Sequence, residues 1–303
     1  MRLTRATVCL FLFMGFVCAC EMVAWAGQPQ ETPGETNVAK GRRITKQVIA
    51  ALGGPAYLNV QNVQCDGREA TFGTAGTLMG FTLFRDTWLL PDKNRVEYFT
   101  KGEHTIVGFL MGSDDLLITH GGAMITVFNG KEGWTLDKSG VSNQPEDLIQ
   151  NFNDQLKTDL NNVLRKRINE PGVDAEYAGT DLIDLKEAEW IEFTDREHRM
   201  MRLGIDKYSH LPLRWVVVTR NPETRERAEV ITSLTQYASN DGVKAPLSIE
   251  LSRNDRKVSQ TFLSSCKYNS DISPEIFTRA SLEQAAKDTN KKGYKESKGS
   301  KEK

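Results

Sequence analysis

The sequence has little of what most enzymes need. Its 303 residues include four histidines, which do not cluster, and five cysteines, three of which (Cys9, Cys18 and Cys20) fall in the first twenty residues. There is no His-Glu-x-x-His pair for zinc, no Gly-x-Ser-x-Gly elbow, no phosphate loop and no dinucleotide fingerprint. His104, His120, His198 and His210 stand apart. His198 follows Glu197 in a turn and His210 lies in the Tyr208–Pro212 turn, so each reads as a surface or turn residue rather than a ligand or base. Asp114-Asp115 precedes a strand start and reads as a turn. No catalytic residue, cofactor or metal site is expected.

Long apolar runs are also missing. A membrane-spanning helix needs ~20 apolar residues, and only Val8 to Ala19 approaches an unbroken run, too short to span comfortably. Arg2 and Arg5 precede it, and Ala24-Trp25-Ala26 follows, which reads as a signal peptide (1–26) cleaved before Gly27. A second reading stays open: Val17-Cys18-Ala19-Cys20 resembles a lipobox, with a signal over 1–19 and lipidation of Cys20. Either way the expected product is exported to the periplasm and not integral to the membrane, soluble in the first case and anchored through Cys20 in the second. Only Cys65 and Cys266 certainly remain in the mature chain. Oxidising compartments favour a bridge between them, and two half-buried free thiols are the alternative.

An excess of charge of either sign is missing as well. The formal net charge is −1, or −2 without Arg2, Arg5 and Glu21 of the expected signal segment, which conceals a lysine-rich stretch from Gln284 to Lys303 with a net of +4 and a body of about −6. An acidic body argues against a nucleic-acid surface. The stretch 283–303 has almost no apolar residues and reads as a disordered tail. It is either simply solvated or a contact for anionic lipid or cell-wall polymer. Residues 27–40, with Pro29, Pro33 and Gly34, read as a flexible leader, leaving 41–282 as a single domain.

What the chain has in quantity is strand. A helix is predicted from about Asn37 to Leu52, with Ile44, Val48, Ile49 and Leu52 at helical spacing and Gly53-Gly54 as its stop. A second is predicted from Pro145, with Leu148, Phe152, Leu156, Leu160, Val163 and Leu164 in one apolar stripe, closing at Arg165 to Arg167. The rest alternates in period two between turns such as Pro91-Asp92-Lys93-Asn94, Asn129-Gly130 and Asp241-Gly242. The expected class is mainly β: about eleven antiparallel strands and two helices. A sheet that long must curl, and the helices are expected on its concave face. Trp88, Trp134, Trp190 and Trp215 all fall in predicted strands and are candidates to line an enclosed pocket.

Several motifs in order carry a family resemblance. They are the aromatic strand Phe84 to Tyr98 with Pro91 and Arg95-Val96-Glu97-Tyr98, then Phe128-Asn129-Gly130-Lys131 before Trp134. Ile205-Asp206 with Leu211-Pro212-Leu213-Arg214 follows, then Asp241-Gly242-Val243 with Pro246. From about Gly41 to Arg279 the chain resembles the LolA/LolB-like periplasmic lipoprotein carriers, in the broad sense of outer-membrane lipoprotein-sorting proteins. That resemblance implies a strongly curved antiparallel half-barrel covered by helices. It also implies a non-enzymatic carrier that buries the acyl chains of lipoproteins or other lipids in a hydrophobic cavity, with the second helix as its lid. Leu90 stands where the family has a basic residue, so that residue's gating role does not carry over. With Leu90 inward, alternation puts Phe84 and Trp88 on the same face, and these three are the expected lipid-binding residues. An envelope sensor that uses the same fold to bind a protein partner is the alternative.

Overall fold

The computed structural model describes residues 34–99, 103–107, 116–120, 124–220 and 227–288, and the backbone alone for 103–107, 116–120 and residue 220. Contacts divide the chain into Met1–Glu35 and Thr36–Lys303; all that follows concerns the second unit. The expected signal segment with Cys20, the leader to residue 33, Asp114-Asp115, the side chains of His104 and His120, and the chain after residue 288 lie outside the described residues.

Helix α1 (Asn37–Ala51) starts at Thr36, whose hydroxyl accepts from the Ala39 N–H at 3.2 Å. Ile44 and Val48 are fully buried on its inner face. Gly41 lets this helix press onto the sheet, since a Cβ there would meet the Ala175 carbonyl oxygen at 2.4 Å. Gly53 and Gly54, at φ +126° and +56°, end the element, and Pro55 opens α2 (Pro55–Leu58).

The first run of strands is β1 (Asn62–Phe72), β2 (Leu78–Leu89), β3 (Lys93–Phe99), β4 (Glu103–Val107), β5 (Leu116–His120), β6 (Met124–Asn129), β7 (Glu132–Asp137) and β8 (Gly140–Asn143). Helices α3 (Glu146–Thr158) and α4 (Leu160–Arg165) follow. The second run is β9 (Asp174–Ile183), β10 (Lys186–Thr194), β11 (Met200–Asp206), β12 (Pro212–Arg220), β13 (Arg227–Asn240), β14 (Val243–Arg253) and β15 (Arg256–Tyr268). A 3₁₀ turn (Pro274–Phe277) and helix α5 (residues 279–288) complete the described chain.

Thirteen strands form one antiparallel sheet in the order β8-β7-β6-β3-β2-β1-β15-β14-β13-β12-β11-β10-β9, and β4 and β5 pair separately. The mainly β, antiparallel class is as the sequence predicts, with more strands than the expected eleven. The sheet is two meanders joined at a seam where the first strand pairs with the last. There Cys65 lies opposite Cys266, and the two are disulfide-bonded.

The sheet is strongly curved and remains open. Phe152 on α3 stacks on Phe128 of β6, with ring centroids 4.4 Å apart. Six residues further along, the Thr158 carbonyl accepts from the Trp215 indole N–H of β12 at 3.0 Å. Those residues are ~9 Å apart along a helix, whereas β6 and β12 are seven steps apart in the sheet, ~34 Å if it were flat. The sheet therefore bends back on itself around α3.

Three expectations change. The predicted second helix is two helices, because Asp159 leaves helical geometry (φ −66°, ψ 131°) and caps α4 by accepting from the Asn162 N–H at 2.8 Å. The helices are not confined to the concave face. The Pro274–Phe277 turn and α5 cover the convex face of β6 and β7, where Phe277, Leu282, Ala285 and Ala286 pack on Ile125, Val127, Trp134 and Leu136. Alternation leaves these four strand residues pointing outward, and such an apolar row needs a cover. Arg95 pins the cover by donating to the Ile276 carbonyl (3.0 Å) and the Ser281 hydroxyl (3.3 Å). The tail boundary also moves, since the helix continues past 282 to residue 288.

The Cys65–Cys266 bond closes a loop 201 residues long, so loop entropy gives it up to about 5 kcal/mol of stabilisation. The Cys65→Ser/Cys266→Ser double variant is expected to melt about 10 °C or more below the parent in a calorimetric scan. Dithiothreitol should lower the parent's midpoint toward that of the variant.

Candidate functional site

The registers place inward side chains in rows across the seam. One row is Leu234, Ile249, Thr261, Glu69 and Thr82; the next is Leu263, Gly67, Phe84, Tyr98 and Met124. A third is Cys266, Cys65, Asp86, Val96 and Thr126, and a fourth is Tyr268, Val63, Trp88, Asn94 and Phe128. Gly67 makes room in its row, because a Cβ there would lie 2.9 Å from the Phe84 ring.

The concave face is filled unevenly. Over β9 to β12 it is packed solid by α1, α2 and α4, with Ile191, Phe193, Met201, Leu203 and Ile205 all fully buried against Ile44, Val48, Val163 and Leu164. Nearer the seam the inward apolar side chains are only half-buried: Val230, Ile249, Leu251, Leu263 and Val63. Several of their outward neighbours are polar, as with Glu250, Gln260 and Lys257, whereas Ile231 and Phe262 are apolar. An apolar inner surface is therefore left incompletely covered at the middle of the curved sheet.

Helix α3 straps this hollow. Phe152 is its one fully inserted side chain, stacked between Phe128 and Trp88, the latter ring 5.9 Å away. Asn153 donates to the Gly130 carbonyl at 3.1 Å, and Trp215 holds the other end. The remaining apolar side chains of α3, Leu148, Ile149 and Leu156, are half-buried. The strap rests on one aromatic stack and a few polar contacts.

Two carboxyls sit inside the concave face. Asp86 accepts from the Trp88 indole N–H (2.8 Å) and from the Asn94 amide (2.6 Å). Burial pushes its pKa up to about 6 against those two bonds. Glu69 is 3% exposed and its Oε1 has no hydrogen-bond partner. Burial, opposed by the Ser259 hydroxyl and reinforced by Asp86, pushes Glu69 to about 7. Tyr98 is raised by burial and by both carboxyls. The Thr71 hydroxyl, opposite Ser259 across the seam, is likewise buried without a partner.

The three expected lipid-binding residues go to different places. Phe84 is buried in a small cluster with Val96, Tyr98, Met124 and Leu263. Trp88 is half-buried under Phe152. Leu90 follows the end of β2, at a cis bond to Pro91, and packs against the core below α1. Phe84 and Trp88 share the concave face. The four tryptophans do not: Trp88 and Trp215 point inward, whereas Trp134 lies under α5 and Trp190 sits on the convex face under the Arg202 guanidinium. Both faces carry apolar clusters, so strand membership alone cannot assign a tryptophan to the interior. His198 and His210 sit in turns at φ +58° and +56°. Among the described residues no group of His, Cys, Asp and Glu could hold a metal ion, and no helix is long and apolar enough to cross a membrane.

No family model matches the sequence, and no curated protein matches it. Solved structures do. A DUF1329 family protein from Desulfovibrio piger aligns over 82% of this chain and 100% of its own, at 11% identity and a TM-score of 0.48. A LolA superfamily protein from Nitrosomonas europaea aligns over 80% and 99%, at 13% identity and 0.49. An outer-membrane lipoprotein-sorting protein domain from Vibrio parahaemolyticus aligns over 82% and 100%, at 10% identity and 0.49. The last two names are of the kind that the hairpin motifs of this sequence resemble. At these values neither the architecture nor the site described above depends on the likeness.

The buried carboxyls give a signed pH dependence. Both hold protons more tightly folded than unfolded, so the folded state binds more protons between about pH 4 and 7, and stability falls as pH rises through that window. Glu69→Gln is expected to flatten the decline by on the order of 3 kcal/mol, read from urea midpoints at pH 4.5 and pH 8. An unchanged slope would exclude Glu69 as its source.

Proposed function

We propose that this protein is an exported, non-enzymatic carrier that buries the acyl chains of a lipid or lipoprotein against the concave face of its sheet. The observation that carries this reading is the set of half-buried inward side chains at the seam, Val230, Ile249, Leu251 and Leu263, beneath a strap held by one inserted ring. An acyl chain crossing water needs a dry apolar surface, and each buried methylene contributes ~0.8 kcal/mol. Ten methylenes laid on this face supply ~8 kcal/mol before the costs of ordering, which suits reversible capture.

Release then requires α3 to move. Withdrawing Phe152 from Phe128 and Trp88 opens the concave face at that edge, and the Trp215 bond leaves the far end of α3 as the pivot. No covalent step is involved. The resemblance in the hairpin motifs and the names of the lipoprotein-sorting and LolA superfamily structures support the same reading. Export rests on Arg2, Arg5 and the apolar run to Ala19, with release into the periplasm or anchoring through Cys20 set by the cleavage position.

The test is titration of the mature protein with a fluorescent C16 fatty acid, together with native mass spectrometry of the protein as exported. Saturable one-to-one uptake and a co-purifying lipid mass are expected. Leu251→Glu places a charge on the inner face and is expected to weaken uptake at least about tenfold. Phe152→Ala is expected to lower stability by about 3–5 kcal/mol and to speed both uptake and release. A parent protein that takes up no fatty acid and carries no lipid would overturn the proposal.

A further inference from the structure

The described residues with large, exposed apolar side chains number nine, and five of them, Leu78, Met79, Phe81, Leu83 and Phe99, come from β2 and β3. Phe81 is 52% exposed, Leu83 58% and Phe99 45%. The registers make the last three neighbours on the outer surface: Leu83 lies opposite Phe99 on one side and Arg68 on the other, and Arg68 lies opposite Phe262. Exposed Arg68 holds its guanidinium over both the Phe81 ring (6.0 Å) and the Phe262 ring (5.2 Å). The result is an apolar, aromatic surface with a cation at its centre. A contiguous patch of this kind is unusual on a protein that faces only water.

We propose that this convex corner docks on an anionic lipid bilayer. Three features favour a membrane over a second protein. Phenylalanine and leucine side chains standing out from a strand surface suit the boundary between head groups and acyl chains. The central arginine stacks on its rings and pairs with no acid among the described residues, which leaves its charge for a phosphate. The chain also continues beyond α5, a helix lying on this same convex face, with residues 289–303, which hold six lysines against Glu296 and Glu302. Stable attachment takes two signals, an apolar one and a polybasic one. Each lysine near an anionic surface contributes ~1 kcal/mol. The corner supplies the first signal and the tail the second, and neither draws on the concave face.

Vesicle co-sedimentation of the mature, non-lipidated chain tests this, with phosphatidylethanolamine:phosphatidylglycerol (3:1) against pure phosphatidylcholine. Binding to the anionic vesicles and at least about tenfold weaker binding to phosphatidylcholine are expected. Phe81→Ser/Leu83→Ser is expected to cut anionic binding at least about tenfold with an unchanged melting midpoint, because both side chains are more than half exposed. A chain ending at Asp288 should lose affinity and most of its salt dependence. Leu251→Glu, inside the hollow, should bind vesicles like the parent, which separates this proposal from the carrier reading. Equal binding to both vesicle types would overturn it. So would a Phe81→Ser/Leu83→Ser variant that binds anionic vesicles like the parent, or whose only change is a shift from dimer to monomer in sedimentation.

Discussion

The bend of the sheet around α3 is the constraint on which the remaining architecture depends. A flat array of thirteen strands would have no inside. By touching Phe128 with Phe152 and Trp215 with Thr158, one short helix holds β6 and β12 close and creates a concave side. The bend determines which residues are sheltered and which are not. It also explains why α1, α2 and α4 suffice to form a core, since a curved sheet supplies the opposing wall itself.

The two faces then do different work. The concave face is dry and solid beneath α1 and incompletely covered toward the seam, where acids and hydroxyls lie among aliphatic side chains. The convex face is protected at one end by α5 and by the cluster of Trp190, Leu213 and Val216 at the other. Between these covers lies the corner around Arg68. One apolar surface thus lies inside the curve and another outside it.

Much of this was legible in the amino-acid sequence. Asn129-Gly130 and Asp241-Gly242 mark real hairpins, with Asp241 and Gly242 at φ +52° and +78°, as a tight two-residue turn demands. Gly53-Gly54 ends α1 where expected, and period-two alternation places Phe84 and Trp88 on the shared inner face. The break at Asp159 was hidden because the apolar stripe runs straight through it, although Asp followed three residues later by Asn162 is an ordinary start for a new helix. Helix α5 was obscured by its lysine-rich surroundings. Ile272, Ile276, Phe277 and Leu282 were the signal, an apolar series too sparse to stand out beside the strands. Glu69 was missed because a charged residue in a strand reads as outward-facing, and only the register shows that its side chain points in. The uneven filling of the interior is a tertiary property, and no pattern along the chain announces it.

The seam also has a consequence in time. A polypeptide appears N-terminus first, yet β1 receives its second neighbour only when β15 arrives, some 201 residues later. At ~5–20 residues per second the wait is roughly 10–40 s, during which β1 shows an open row of amide and carbonyl groups to any other nascent chain. Asp66, Arg68 and Glu69 lie within that strand, and charge on a strand border, above all charge aimed inward, discourages mistaken partners. The buried carboxyl that costs the finished protein stability at neutral pH is thus also a charge on the border that β1 presents before β15 arrives.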